Sequence, residues 1–306
     1  MSFSQQSRPA LGISATERET GLGKDTLRVW ERRYGFPQPE RDANGERLYP
    51  TEQVERLRLI KRLMDQGHRP GRLMAASEEE LQALYAPAPA PARQDGGDDA
   101  MVRQLLALVK THDVPQLRSA LNQAMLRQGL QDFVLHSLTA LNHAVGEAWM
   151  SGEFEIFEEH LYTEQVQALL RQAIATLPAR SGSPRILLTT LPEEQHGLGL
   201  LMAEALLALD GATCVSLGTQ TPLYDIAMAA RSQQADVVAL SFSVAYPARQ
   251  VAPQLAQLRS MLPETTELWA GGGGAGKLAA QEGITPMPAL PDALAALAAW
   301  REKSES

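Results

Sequence analysis

From residue 186 onward, short apolar runs alternate with segments whose apolar residues recur at helical spacing. This alternation predicts a parallel β-sheet with helices on both faces, because parallel neighbouring strands need a crossover connection. The predicted strands are 186–191, 213–217, 236–242, 267–270 and 284–287, and the predicted helices are about 197–209, 223–233, 248–260, 276–281 and 291–303. Residues 181–306 are therefore expected to form a doubly wound α/β domain.

The chain ahead of this domain divides into three further parts. Residues 86–99, APAPAPARQDGGDD, have the composition of an extended linker in which no packed element is expected. Residues 100–180 show helical apolar spacing throughout, which predicts a helical bundle. With a small domain at 1–85, the fold class is multidomain, with α and α/β parts.

Charge is distributed unevenly along the chain. Residues 1–74 hold 14 Lys and Arg against 10 Asp and Glu, whereas the rest hold 14 against 26. A basic N-terminal segment on an acidic body is typical of a nucleic-acid-binding module attached to a larger protein. Cys214 is the single cysteine, which excludes a disulfide framework and a thiolate metal sensor. With no long apolar run and no secretory signal, a cytoplasmic protein is expected.

The N-terminal domain has the spacing of a helix-turn-helix. Predicted helices at 13–20 and 24–33 flank Gly21-Leu22-Gly23, Asn44-Gly45 predicts a hairpin wing, and a third helix follows at 51–66. The combination of TLRVWERRYGFPQPER and GERLY resembles the winged helix-turn-helix of the MerR family of transcription regulators. The resemblance covers about residues 11–75 and implies binding of an operator in double-stranded DNA. The residues that it implies for contacts with phosphates are Arg28, Arg32, Arg33, Tyr34, Arg47 and Tyr49.

Polar residues and glycines follow three of the predicted strands. Glu194-x-His196-x-x-Gly199 follows the first strand, Ser241 ends the third, and Gly271-Gly272 follows the fourth. In a doubly wound domain these positions share the carboxyl edge of the sheet, where ligands bind.

This arrangement resembles the cobalamin-binding domain, whose pattern is Asp-x-His-x-x-Gly, Ser-x-Leu and Gly-Gly. The resemblance implies that His196 is the lower axial ligand of cobalt in place of the dimethylbenzimidazole of the cofactor, and that Glu194 orients it. The displaced base would lie in a slot beside Ser241 and over Gly271-Gly272. Glu194 stands where the pattern has Asp, and Ser243 stands where it has Leu. We expect the second change to affect packing only.

A second motif lies in the helical segment, where Glu159-His160 follows Trp149 after nine residues. With it, the chain resembles the CarH-type photoreceptors, MerR-like repressors that sense light through adenosylcobalamin under a four-helix bundle. The resemblance implies that Trp149 shields the adenosyl group, with Ile156, Glu159 and His160 beside it. In that family a His after the Trp ligates cobalt once light has acted, but here the residue is Met150. His143 could replace that ligand only if its helix moved.

Together these features predict a transcription regulator, and specifically a repressor, that senses light through bound adenosylcobalamin. Its cofactor would control assembly of a homotetramer and release of DNA. The alternative is a light-independent MerR-like regulator that senses cobalamin or another ligand in the same cleft. A cobalamin-dependent enzyme is disfavoured because a DNA-binding module occupies the N-terminus. A purely structural DNA-bridging oligomer would leave the His, Ser and Gly pattern unexplained.

Overall fold

The computed structural model describes residues 10–42, 44–65, 68–84, 96–178, 182–276, 278 and 281–304. The chain forms two compact units that divide between Ala90 and Pro91. No helix in these described ranges is long and apolar enough to cross a membrane.

The first unit is a winged helix-turn-helix, as predicted. Its elements are β1 (Leu11–Gly12), α1 (Ile13–Thr20), α2 (Lys24–Tyr34), β2 (Glu40–Arg41), β3 (Arg47–Tyr49), α3 (Thr51–Asp65), α4 (Pro70–Ala75) and α5 (Glu78–Leu84). The strands form a small antiparallel sheet in the order β1-β3-β2, and β2 and β3 make the wing. Leu27 and Trp30 on the inner face of α2 pack with Leu57 and Ile60 of α3 in its core.

Helices α4 and α5 were not predicted from the sequence. They contain only 6 and 7 residues, too few for an apolar period to be read. A local signal for α5 does exist, because Ser77 and Glu80 form a capping box. The Glu80 amide donates to Ser77 Oγ at 3.1 Å, and the Ser77 amide donates to Glu80 Oε2 at 2.8 Å.

The second unit begins with the helical bundle. Its elements are α6 (Gly96–Lys110), α7 (Val114–Gln128), α8 (Leu130–Asp132), a π-helical turn (Phe133–Leu138), α9 (Thr139–Met150) and α10 (Ile156–Thr176). Because α8, the π turn and α9 are continuous, the bundle has four helical rods. The predicted linker is too long at its end, since residues 96–99 are helical. The sequence carries Asp98 and Asp99 there, a residue type that the dipole favours at a helix start. Residues 86–95 of the predicted linker lie outside the described ranges.

The α/β domain follows with β4 (Arg185–Thr189), α11 (Leu198–Leu209), β5 (Thr213–Ser216), α12 (Leu223–Ser232), β6 (Val237–Ser241), α13 (Ala248–Met261), β7 (Glu267–Gly271), β8 (Ile284–Met287) and α14 (Leu290–Ser304). The five strands are parallel in the order β5-β4-β6-β7-β8, which confirms the doubly wound fold. Helices α12 and α13 cover one face of the sheet, and α11 and α14 cover the other.

The helix predicted at 276–281 is wrong for the residues that can be judged. A short 3₁₀ turn occupies Gly273–Ala275, and Gln281 forms an isolated bridge with Ile284. Gly276 and the glycine run 271–274 just ahead of it disfavour a helix here, because glycine has a low helix propensity. Residues 277, 279 and 280 lie outside the described ranges.

Helix α11 belongs to both parts of the second unit. Its residues Leu201, Met202, Ala205 and Leu206 lie in the same apolar core as the bundle helices. The Asn142 amide also donates to Met202 Sδ at 3.1 Å, and Asn142 accepts a hydrogen bond from the Tyr162 hydroxyl. The bundle therefore packs on α11, which begins two residues after His196.

Candidate functional site

The sheet brings the predicted cofactor residues to one edge. Ser241 and Gly271 end adjacent strands and are paired in register. Gly199 lies in the first turn of α11, and a Cβ atom added to it would be 3.6 Å from Ser241 Oγ. The loop with Glu194 and His196 leaves the neighbouring strand β4 at the same edge. The three predicted segments therefore converge.

His196 is held by a buried carboxylate. Glu194 is 1% exposed, and its Oε1 accepts hydrogen bonds from the His196 amide at 2.9 Å and from Nδ1 at 2.7 Å. The His196 side chain itself is 65% exposed. Histidines that bind metals in proteins are oriented in the same way, by a hydrogen bond from one ring nitrogen to a carboxylate.

Ser243 completes this arrangement, contrary to our expectation that it affects packing only. Both its amide and its hydroxyl donate to Glu194 Oε2 at 2.8 Å, and its Oγ lies 3.1 Å from His196 Nδ1. Each oxygen of the buried carboxylate thus accepts two hydrogen bonds. The sequence did contain a signal for this contact, because it departs from the cobalamin-binding pattern at both positions. Residue 194 is the longer acid Glu in place of Asp, and residue 243 is the hydroxyl-bearing Ser in place of Leu.

The charge of Glu194 is stabilised by these donors. Burial raises the pKa of the Glu194 carboxyl, but the hydrogen bonds from His196 and Ser243 lower it, and the net pKa lies below its usual value. The carboxylate is therefore ionised at neutral pH and keeps its hydrogen bond to the imidazole. As pH falls through this lowered pKa, protonation removes that stabilisation.

Two buried threonines at the end of β4 hold the loop that carries Glu194. Thr190 Oγ1 donates to the Glu194 carbonyl at 2.7 Å and accepts from the Gln220 amide at 2.8 Å. Thr189 Oγ1 donates to the Gly218 carbonyl at 3.0 Å. They join the loops that follow β4 and β5. Sequence reasoning missed them, because a Thr pair in a strand is also explained by β propensity alone.

The glycines after β7 allow a close approach of backbone to backbone. A Cβ atom at Gly272 would lie 2.4 Å from the Phe242 carbonyl oxygen, and Gly272 has a φ of +88°. One at Gly274 would lie 2.3 Å from the Ser243 carbonyl oxygen. These residues hold the β7 end against the segment that follows β6, where Ser243 binds Glu194.

The bundle residues of the second motif gather around the α9–α10 connection. Trp149 lies in the last turn of α9 and is half-buried against the core that α11 shares. Ile156, Glu159 and His160 fall on one face of the first turns of α10. Ile156 is half-buried, His160 is exposed, and Glu159 accepts a hydrogen bond from Thr163 at 2.7 Å. Leu198, two residues after His196, packs on the same core as Trp149.

A buried carboxylate also fixes this connection. Glu158 accepts hydrogen bonds from Lys110 Nζ at 3.1 Å and from the Glu155 amide at 2.7 Å, and it lies 2.9 Å from His112 Nε2. Lys110 also donates to the Glu153 carbonyl at 2.5 Å. The end of α6 thereby holds the start of α10. Neither His112 nor Glu158 was identified from the sequence.

On the first unit, the predicted DNA-contacting residues of α2 lie on its outer side. Arg28, Arg32 and Arg33 are exposed, and Arg28 pairs with Asp25 at 3.0 Å. Tyr34 is half-buried, and the Arg33 guanidinium lies 5.3 Å from the centre of its ring. The helix therefore presents a cationic surface to solvent.

The two wing residues are placed differently from the prediction. Arg47 is half-buried and binds both oxygens of Glu31, at 2.7 and 3.3 Å, which ties the wing to α2. Tyr49 is completely buried in the core of the unit, and its hydroxyl has no hydrogen-bond partner among the residues that the structure describes. Because the Tyr49 hydroxyl cannot reach solvent in this conformation, its expected contact with phosphate is incompatible with the structure.

Cys214 has no features of a metal or redox site. It is half-buried in β5, and burial raises the pKa of its thiol to about 12. The protonated thiol therefore predominates at neutral pH. Among the described residues, no group of three or more His, Cys, Asp or Glu is arranged to hold a metal ion.

Comparison with protein families gives two matches. Residues 11–75 match the family described as "MerR HTH family regulatory protein". Residues 101–174 match the family described as "B12 binding domain". The first range is the winged helix-turn-helix, and the second is the helical bundle.

Similar proteins cover most of the chain. The "HTH-type transcriptional repressor CarH" of Myxococcus xanthus is 30% identical over 266 residues, which are 86% of this chain and 89% of that protein. The "HTH-type transcriptional repressor CarA" of the same organism is 28% identical over 233 residues, 76% of each chain. The Methanosarcina barkeri monomethylamine corrinoid protein superposes with a TM-score of 0.52 over 66% of this chain and 100% of that one. At 14% identity, this likeness shows the fold alone.

Proposed function

This chain belongs to the MerR-family transcription regulators that carry a B12-binding domain, and from that premise we propose that it is a repressor that senses light through adenosylcobalamin. In this proposal, the dark protein holds the cofactor, assembles as a homotetramer and binds its operator. Illumination then releases the DNA. The observation that carries the cofactor assignment is the exposed His196 imidazole held by the buried Glu194 carboxylate.

The residues at the sheet edge fit cobalamin. His196 would ligate cobalt through Nε2, because Nδ1 is engaged with Glu194. Ser241 and Gly271 lie side by side at the strand ends, and Gly199 faces Ser241 without a side chain between them. The lower nucleotide of the cofactor would occupy this glycine-lined region. Adenosylcobalamin would supply a cobalt–carbon bond that light can break.

The bundle would sense the upper face of the cofactor. Trp149 would pack on the adenosyl group, with Ile156, Glu159 and His160 around it. Because Trp149 and Leu198 pack on one core, a displacement of Trp149 would be transmitted to α11 and hence to the contact between bundle and sheet domain. The proposal requires this contact to have a second packing, as the switching interfaces of other proteins do.

On the DNA-binding unit, Arg28, Arg32 and Arg33 are proposed to bind operator phosphates. Arg47 would act chiefly by holding the wing on α2 through Glu31. Assembly of several such units on one operator raises affinity by increasing the effective concentration of each next unit. Disassembly would therefore release DNA without any change in the DNA-contacting residues.

The decisive experiment loads the full-length protein with adenosylcobalamin in the dark and measures its mass by light scattering before and after green light. A duplex selected from a random pool by the dark protein serves as the DNA probe. We expect a tetramer in the dark, a smaller species after light, and DNA affinity at least about tenfold weaker. A sample kept dark and one loaded with hydroxocobalamin are the controls. An unchanged mass and affinity after bleaching refutes the light switch, and failure to bind any cobalamin refutes the sensor.

A second candidate is a light-independent cobalamin-sensing regulator, which Met150 favours. A thioether is a weak ligand for Co(III), so the lit state would lack a strong upper ligand from this position. His143, the imidazole on α9, lies 3.3 Å from the Glu147 carboxylate one turn away. This candidate predicts cobalamin-dependent DNA affinity that is the same in the dark and in the light.

Replacement of Ser243 by alanine is expected to weaken cobalamin binding about tenfold, because an outer partner of a metal ligand is lost. The variant keeps the amide donor to Glu194 but loses the hydroxyl donor at 2.8 Å. The dissociation constant and the absorption spectrum of the bound cofactor report the change. Ser260→Ala on the exposed side of α13 is the control and should bind like the wild type. Wild-type affinity in Ser243→Ala would show that Glu194 orients His196 without this hydroxyl.

A further inference from the structure

A large apolar side chain is exposed on α2 of the DNA-binding unit. Val29 is 42% exposed, whereas Leu27 and Trp30 of the same helix are buried in the core. A solvated helix face favours Ala, Glu, Lys or Arg, and a β-branched residue there lowers helix propensity. A better helix former at this position would therefore serve the fold at least as well as valine does.

Val29 lies within the outward-facing strip of the helix. At about 100° per residue, Asp25, Val29 and Arg32 lie within about 60° of one another around the helix axis. Arg28 and Arg33 lie about 40° further out, one on each side of this strip. All five side chains face away from the core. Val29 thus lies between Arg33 on one side and Asp25 and Arg32 on the other, with Arg28 at the far margin.

This arrangement of side chains suits a helix that lies in a major groove. Cations at the two margins of the face would reach the phosphates of the two strands, while the centre would face the base edges. The apolar group that base edges present in the major groove is the C5-methyl group of thymine. Single apolar residues are common on protein surfaces, so the exposure of Val29 alone does not indicate a function. Its position on the face that carries the arginines does.

We propose that Val29 determines part of the operator specificity by packing against the C5-methyl group of a thymine. The inference rests on the proposed binding of this face to operator DNA. It assigns to Val29 a role in base recognition and leaves the phosphate contacts to the flanking arginines. Loss of the contact should weaken binding about fourfold for each thymine methyl, the effect of exposing one buried methyl group.

The test replaces each thymine of a selected duplex, one at a time, by deoxyuridine, which lacks only the C5-methyl group. Full-length wild-type protein in the dark, with adenosylcobalamin, should lose about fourfold in affinity at one thymine in each half-site. Val29→Ala should bind the unmodified duplex more weakly and show no further loss at that thymine. Leu126→Ala, which removes an exposed apolar side chain from α7, should keep the wild-type profile.

Two results would overturn the proposal. One is a wild-type profile with no deoxyuridine-sensitive position, and the other is the same sensitive position in Val29→Ala as in the wild type. In both cases the protein still binds its duplex, so operator binding stands and only the role of Val29 falls. If the wild-type protein selects no duplex at all, operator binding by this face is refuted, and the inference falls with it. Equal far-ultraviolet circular dichroism of the variants checks that α2 remains folded.

Discussion

Protein carrying His196→Ala is expected to bind adenosylcobalamin at least about 100-fold more weakly than the wild type, and to lose the red colour on purification. The estimate follows because loss of an outer partner of a ligand already costs 10–100-fold, and here the ligand itself is removed. Any cofactor still bound at high concentration should keep its own dimethylbenzimidazole on cobalt. Titration followed by absorption spectroscopy measures both effects.

A matched control for this variant is His136→Ala. His136 is also exposed and lies in the same unit, but in the π turn of the bundle and away from the sheet edge. It should bind cobalamin like the wild type. Wild-type affinity and spectrum in His196→Ala would contradict the assignment of the cobalt ligand. A wild-type protein that takes up no cobalamin would instead remove the cofactor from the proposed function altogether.

The second large effect is expected for Gly272→Ala, which should lower the free energy of unfolding by about 3 kcal/mol. The added methyl group would lie 2.4 Å from a backbone carbonyl oxygen of Phe242, and no side-chain rotation can relieve that contact. Alanine would also have to adopt φ +88° and ψ 170°, a conformation that essentially only glycine populates. The displaced segment leads to Ser243, so cobalamin affinity should fall as well. Urea unfolding and cofactor titration are the measurements.

Gly276→Ala provides the comparison within the same glycine-rich segment. Gly276 has φ −62° and ψ −12°, which alanine adopts readily, and the nearest atom to an added Cβ is 3.5 Å away. This variant should be as stable as the wild type or slightly more so, because alanine restricts the unfolded chain. Equal stabilities of the Gly272 and Gly276 variants would show that the approach of the two backbones is not required.

Much of the fold could be predicted because it depends on local patterns. The parallel strands are found within one or two residues of the predicted runs, since a buried strand requires a continuous apolar run. The helix-turn-helix and its wing depend on glycine turns and short apolar periods, which are equally local. The prediction was wrong at 276–281, where a turn forms instead of a helix. It was also wrong at the end of the linker, where the first bundle helix starts earlier than predicted. It omitted α4 and α5 because they are too short to show a period.

The candidate site was predictable only in part. Glu194, His196, Gly199, Ser241 and Gly271-Gly272 could be assigned together because parallel strands place their carboxyl ends at one edge. The partners of Glu194 could not be assigned, because a hydrogen bond between residues 49 positions apart depends on how two loops meet. The same reason hid the contacts of Glu158 with Lys110 and His112.

The sequence by itself determined the order of the domains, the sheet edge that carries the imidazole, and the cationic α2, because these follow from local periodicity and charge. The tertiary structure alone decided which polar and aromatic side chains face solvent. It placed Tyr49 in the core, paired Arg47 with Glu31, left Val29 exposed beside Arg33, and made Ser243 a partner of the buried Glu194. Burial and long-range hydrogen bonds are properties of packed elements, and no local pattern contains them.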